Sequence, residues 1–135
     1  MASINSFEDL EVWRRARELS SEIFWKTKIA PFKTDFELRD QINASSGSVA
    51  DNIAEGFERN GNGEFIFSLT IAKGSAGEVR SQLYRALDRK YLTISEFEDL
   101  KQKSVVLSKM ISSLRHTLRE SGKKGSRFPR RDSDG

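Results

Sequence analysis

The sequence predicts an all-α fold, an antiparallel up-down-up-down four-helix bundle. Two observations carry that prediction. Leu, Ile, Val, Phe and Ala recur at three- and four-residue steps in four separate stretches, the period of a helix with one buried face. Between the stretches lie short turn and helix-start signals, and no alternating run makes a convincing strand. Connections this short place neighbouring helices antiparallel.

The first helix is expected to open at Ser6, with Asp9 three residues on in a capping-box-like pair. Its apolar positions are Phe7, Leu10, Trp13, Ala16, Leu19, Ile23 and Phe24. Acids lead (Glu8, Asp9, Glu11) and bases follow (Lys26, Lys28), which suits the helix dipole. Pro31 marks the loop that follows. Trp13 reads as core; Trp25 lies off the stripe and reads as an exposed patch or an oligomer contact.

The second helix is expected to open at Thr34 with Glu37, and its apolar positions are Phe36, Ile42, Val49, Ile53 and Phe57. The run NGNG at 60–63 closes it with the strongest turn signal in the chain. The third helix carries Phe65, Leu69, Ala72, Ala76, Val79, Leu83 and Leu87 and stops near Lys90–Tyr91. Ser95 and Glu98 suggest a further capping box opening the fourth, with Phe97, Leu100, Leu107, Ile111, Leu114 and Leu118. The expected organisation is an arm over 1–5, a bundle over 6–119 and a disordered basic tail over 120–135, rich in Gly, Ser and charge.

Composition narrows the function classes. A chain of 135 residues suits one domain, and 36% hydrophobic against 32% charged residues suits a small bundle with large solvated faces. With no cysteine, disulfides, thiolate catalysis and Cys-ligated zinc are excluded, and a cytoplasmic setting is expected. The single histidine, His116, speaks against a His-based metal site or triad and reads as a solvated residue near a helix end. The start MASINSFEDLEVW lacks a basic-then-apolar leader pattern, and no apolar run approaches the ~20 residues a membrane span needs. No cofactor is expected.

The net charge of +3 is unevenly spread. Residues 1–100 hold 13 basic and 17 acidic side chains; residues 101–131 hold 10 basic and one acidic, Glu120. A mildly acidic body with a basic end suggests an anionic partner, nucleic acid first. The alternative is a solvated helix end plus a solubilising tail.

One stretch, SVADNIAEGF at 48–57, carries polar residues and a glycine inside an apolar helix pattern. Ser45, Ser48, Asn52, Glu55 and Arg59 form a polar stripe; Ser68, Ser75, Glu78, Gln82 and Arg85 form its counterpart on the third helix. In a hairpin turning near Gly61, Ser48 falls opposite Ser75, Ser45 opposite Glu78 and Glu55 opposite Ser68. Such pairs satisfy one another when buried. Gly47 falls opposite the Gly74–Gly77 region, and with Gly56 these interior glycines suggest close backbone approach. The stripe reads as a polar seam between helices two and three; a subunit interface or a ligand surface are the other readings. Glu55 and Glu78 lie ~15 Å apart along the hairpin at helical rise, too far for a paired acid and base. Di-metal bundles use Glu-x-x-His motifs, and there is none. The GNG at 61–63 lacks the lysine and preceding strand of a phosphate loop. No enzymatic activity is expected.

The three stretches FEDLEVWRRARELSSEIF, LRDQINASSGSVADNIAEGF and EFIFSLTIAKGSAGEVRSQL resemble the bacterial four helix bundle protein family, also called the 23S rRNA intervening-sequence protein. The resemblance covers about residues 6–118. It is carried by Asp9, Leu10, Val12, Trp13, Ala16 and Leu19, then by Gln41, Ala44, Ser48, Val49, Asn52, Ile53, Ala54, Glu55 and Gly56. On the third helix it rests on Phe65, Leu69, Ile71, Ala72, Gly74, Ser75, Glu78, Gln82 and Leu83. Asn43 departs from the arginine common in the family at that place.

The resemblance implies a left-turning up-and-down bundle, a homopentamer around a central channel and no established enzymatic activity. A more distant similarity is to the accessory protein of diversity-generating retroelements, a basic pentamer that binds nucleic acid and a reverse transcriptase. Both implications suit a non-enzymatic oligomer that binds RNA or DNA through Lys101, Lys103, Lys109, Arg115, Arg119, Lys123, Lys124, Arg127, Arg130 and Arg131. The seam candidates are Ser45, Ser48, Asn52, Glu55, Gly56, Gly74, Ser75, Gly77, Glu78 and Gln82. The rival reading is a protein-interaction scaffold whose tail only adds solubility.

Overall fold

The computed structural model describes residues 3–123, and among them every regular element is helical. Four helices follow in order: α1 (Glu11–Lys26), α2 (Phe36–Glu58), α3 (Asn62–Asp88) and α4 (Ile94–Lys123). Each packs against its chain neighbour, and α1 also packs against α4, closing an up-down-up-down four-helix bundle. No helix of the described residues is long and apolar enough to cross a membrane.

The core is the expected set of stripes meeting in the middle. Ile23, Ile42, Ile53, Phe57, Phe65, Leu69, Leu83, Leu100, Leu107 and Ile111 are all fully buried. At ~1.5–3 kcal/mol for each such side chain, this burial dominates what holds the bundle together. Phe57 and Phe65 meet edge to face across the α2–α3 turn, ring centroids 5.8 Å apart. Trp13 is half-buried and stacks edge-on against Phe7, whereas Trp25 is 64% exposed. Phe24, 39% exposed at the end of α1 with Lys28 over its ring, and Phe36 both depart from their expected core places. Phe36 is the clearer case. It sits on the first turn of α2 under the Arg39 guanidinium, and Leu38 takes the buried position.

Helix starts differ from expectation in an instructive way. Ser6 and Asp9 do act as a pair, the Asp9 carboxylate accepting from the backbone N–H groups of Asn5 and Ser6 at 2.8 and 3.0 Å. They cap only a 3-10 turn, Phe7–Asp9, because Leu10 turns extended and buries its side chain before α1 begins. Arg14 donates to the carbonyls of Glu8 and Asp9 that the broken helix leaves open.

For α2 the cap is Asp35 rather than Thr34, accepting from the Leu38 N–H at 3.2 Å. For α4 the capping box is Thr93 with Glu96 rather than Ser95 with Glu98. The Thr93 N–H donates to the Glu96 carboxylate at 2.8 Å, and the Glu96 N–H donates to Thr93 Oγ1 at 3.1 Å. Both shifts have one physical cause: the chosen acid also holds a distant element. Asp35 takes Arg89 at 2.7 Å and the Tyr91 hydroxyl at 2.8 Å, tying α2 to the α3–α4 junction. Glu96 takes Lys26 at 2.6 Å, tying the end of α1 to the start of α4.

The helix ends use two left-handed residues. Asn60 (φ 63°) ends α2 inside the expected turn. Lys90 (φ 61°) ends α3, with the Tyr91 N–H reaching back to the Ala86 carbonyl and the Lys90 N–H to that of Leu87. At the other end of the chain, α4 runs four residues past the expected bundle boundary of 119. The rest of the expected tail lies outside the described residues.

Candidate functional site

The α2–α3 seam forms in part as the sequence suggests. Ser48 and Ser75 meet hydroxyl to hydroxyl at 3.0 Å. Asn52, one turn along α2, donates to the Ser48 carbonyl and hydroxyl, both at 2.9 Å, so a short polar chain runs Asn52–Ser48–Ser75. Ser45 is buried and donates to the Gln82 side chain, not to Glu78. Side chains on a helix lean toward its N-terminus, and the longer Gln82 reaches back one turn to the level of Ser45. Glu78 stays exposed on the rim of an open polar groove of about 620 Å³, which Gln41, Ser45, Ser48, Ser75 and Arg85 also line.

Two further expectations are corrected. Glu55 points to solvent and pairs with Arg59 at 3.1 Å. It is Gly56 that faces Ser68: a Cβ on Gly56 would lie 2.5 Å from the Ser68 Cβ. So Gly56 is the one seam candidate where absence of a side chain lets the helices approach. Gly47, Gly74 and Gly77 do not meet the opposite helix; a Cβ at each finds nothing within 4 Å. Gly74 is exposed, Gly47 is half-buried, and Gly77 lines the cleft between α3 and α4, because a hairpin register sets the level along a helix and not which face turns inward. Beyond Gly56, two exposed residues of α3, Phe67 and Ile71, continue an apolar groove of about 270 Å³ beside Glu55 and Arg59.

The basic candidates of α4 fall into three situations. Lys103 is engaged: Glu22 of α1 lies 2.7 Å away and Asp99 3.0 Å, and both hold its ammonium in the charged form, raising its pKa. Lys101 is half-buried over Tyr84, 5.5 Å from the ring centroid, and the Tyr84 contact raises its pKa. Arg115 donates to Thr70 of α3 at 3.0 Å. Lys109 and Arg119 are exposed, and Lys109 borders a groove between α3 and α4. Lys123 closes α4; Lys124, Arg127, Arg130 and Arg131 lie outside the described residues.

The sequence matches the model of the family described as 23S rRNA-intervening sequence protein over residues 8–113, most of its length. The chain belongs to this family. The comparison with curated proteins yields no match. Among solved structures, one is described as a protein with unknown function from the S23 ribosomal protein family of Bacteroides thetaiotaomicron. It superposes with a TM-score of 0.73 at 24% identity, covering 78% of this chain and 96% of that one. At that identity the likeness speaks for the fold alone.

Within this intervening-sequence fold, sequence reasoning missed Lys73 and Arg80. Both lie on α3, outside the basic quarter, and line the same groove as Lys109. The signal was present as spacing: 73, 77 and 80 share one helix face. Asn43, the departure from the family pattern, is placed by its bond to the buried Thr27 hydroxyl at 3.0 Å, joining α2 to the end of α1.

Proposed function

We propose that this intervening-sequence protein is a non-enzymatic, self-associating bundle that holds RNA or DNA through its basic C-terminal quarter. The observation that carries the reading is on α4. From residue 101 to 119 the helix carries five bases and no acid, and of the five Lys103 is paired with Glu22 and Asp99, on a body that is otherwise mildly acidic. Surfaces of that kind bind phosphate backbones with little sequence preference. The basic residues 123–131 extend the same charge along the chain. Nothing in the α2–α3 groove favours chemistry, since Glu55 pairs with Arg59 and Glu78 stands exposed on the rim.

Self-association is supported by the apolar Phe67 and Ile71, which stand exposed beside the polar groove on the α2–α3 face. The family resemblance implies five copies, which would multiply the basic surface around a ring. The same exposed apolar pair supports the second reading, a scaffold for a protein partner such as a reverse transcriptase.

The test is filter retention of labelled RNA and DNA by the full chain at low and high salt, with sedimentation for mass. Retention at low salt that is lost at high salt, by a species heavier than one chain, is expected. No retention at low salt removes the nucleic-acid reading. Retention unchanged by removal of residues 124–135 removes the tail from the binding surface.

A further inference from the structure

The groove between α3 and α4 carries more charge than its neighbours in sequence suggest. Two contacts set its register. Arg115 reaches Thr70 at one end, and Lys101 lies over Tyr84 at the other. These contacts lie ~21 Å apart at helical rise, from 70 to 84 on α3 and from 115 back to 101 on α4, and the groove occupies the middle ~10–12 Å between them. Between these ends it is lined by Lys73, Gly77 and Arg80 on one side and by Val105, Ser108, Lys109, Ser112 and Ser113 on the other, enclosing about 610 Å³.

Three of these cations are uncommitted. Lys73, Arg80 and Lys109 have no carboxylate within ion-pair distance among the described residues, in contrast to Lys103. The walls hold almost no negative charge to compete. The segment 101–119 has no acid; the segment 70–84 has only Glu78, which turns to the α2–α3 groove. Glu98, near Lys101, is the acid at that end. The serine hydroxyls are donors for an acceptor-only ligand, and Arg80 offers a planar fork. Gly77 leaves open space where a side chain would stand.

We infer that the α3–α4 groove is a track for the phosphate backbone of a nucleic-acid strand, gripped by Lys73, Arg80 and Lys109. The inference rests on the nucleic-acid reading above and adds to it a folded site, built partly from a helix outside the basic quarter. A row of cations ~10 Å long from Lys73 to Arg80, with Lys109 facing the space between them and serine donors beside it, fits a ligand that repeats its charge along its length.

The test is fluorescence anisotropy of labelled oligo(U) and oligo(dT) strands with the full chain across a salt series. Three proteins are compared: the wild type, the groove variant Lys73→Gln/Arg80→Gln/Lys109→Gln, and the tail variant Lys124→Gln/Arg127→Gln/Arg130→Gln. Circular dichroism checks that each melts like the wild type. At low salt the groove variant is expected to bind at least ~10-fold more weakly. Its log K against log salt slope should fall by about 2, the loss of three single-strand phosphate contacts. Lys73→Gln and Lys109→Gln alone, both at exposed positions, should each give part of that loss. Wild-type affinity and slope in the groove variant, with loss confined to the tail variant, overturns the groove while leaving the nucleic-acid reading standing. No binding by the wild type overturns both. Displacement of the strand by poly-glutamate at equal charge concentration would make the groove an acidic-protein site and overturn the inference.

Discussion

Gly56 of α2 lies against Ser68 of α3 so closely that a Cβ at Gly56 would stand 2.5 Å from the Ser68 Cβ and 3.1 Å from the Phe65 ring. Both neighbours are buried, so neither can move away without disturbing the Phe57–Phe65 contact beside them. Gly56→Ala is therefore expected to destabilise the bundle by ~1–3 kcal/mol, the usual range for overpacking. Chemical denaturation of the variant checks this. A change within 0.5 kcal/mol, the scatter of a neutral surface substitution, would show that α2 and α3 can separate freely there.

The opposite result is expected at Gly74. A Cβ there meets nothing, and helix interiors favour Ala over Gly by ~0.5–1 kcal/mol. Gly74→Ala should raise the thermal midpoint of the dilute protein. A lower midpoint accompanied by a lower sedimentation mass would place a second copy of the chain against this glycine.

Acid should weaken the two junctions that close the bundle. The Tyr91 hydroxyl, the Leu38 N–H and Arg89 hold the Asp35 carboxyl below its ordinary value of 3.8. Lys26 and the Thr93 N–H hold Glu96 below 4.5. A carboxylate with a lowered folded pKa stabilises fully above its unfolded value and loses that contribution as pH falls through the folded one. The melting temperature should therefore change little through these groups between pH 7 and 5, then fall below about pH 4.5. Glu96→Gln should lower the midpoint at neutral pH and flatten part of the acid limb. An unchanged acid limb would remove the Lys26–Glu96 junction from the stabilising set.

The bundle was legible in the sequence because its core is built from periodicity, and periodicity survives small errors of register. Phe57, Phe65, Leu69, Leu83 and Ile111 are buried where their spacing puts them. Caps were less legible, because local signals at Ser95 and Glu98 look as good as those at Thr93 and Glu96. What decides is Lys26, seventy residues away, and no local pattern records it. The seam was legible at Ser48 and Ser75, where two short side chains meet directly. It was misread at Ser45 because Gln82 spans a full turn, and at the glycines because a hairpin register does not say which way a helix face turns. The basic surface was legible as composition along α4. Lys73 and Arg80 were not, since only the pairing of α3 with α4 brings them beside Lys109.

Lys103 separates structural from binding charge. Glu22 and Asp99 already neutralise it. Lys103→Gln should leave strand binding within about twofold while lowering the melting temperature slightly, since exposed pairs of this kind are worth ~0–1 kcal/mol. Lys109→Gln should do the reverse. Equal losses of binding at both positions would mean that overall charge alone, rather than its placement, drives the interaction.

The most direct measurement of all is the affinity of the full chain for a labelled RNA strand as a function of salt. Phosphate contacts release counterions, so log K should fall linearly with log salt, with a slope of about −0.7 for each contact. Several contacts, hence a slope steeper than about −2, are predicted. A flat salt dependence, or no binding at low salt, would contradict a basic bundle that holds nucleic acid by its backbone.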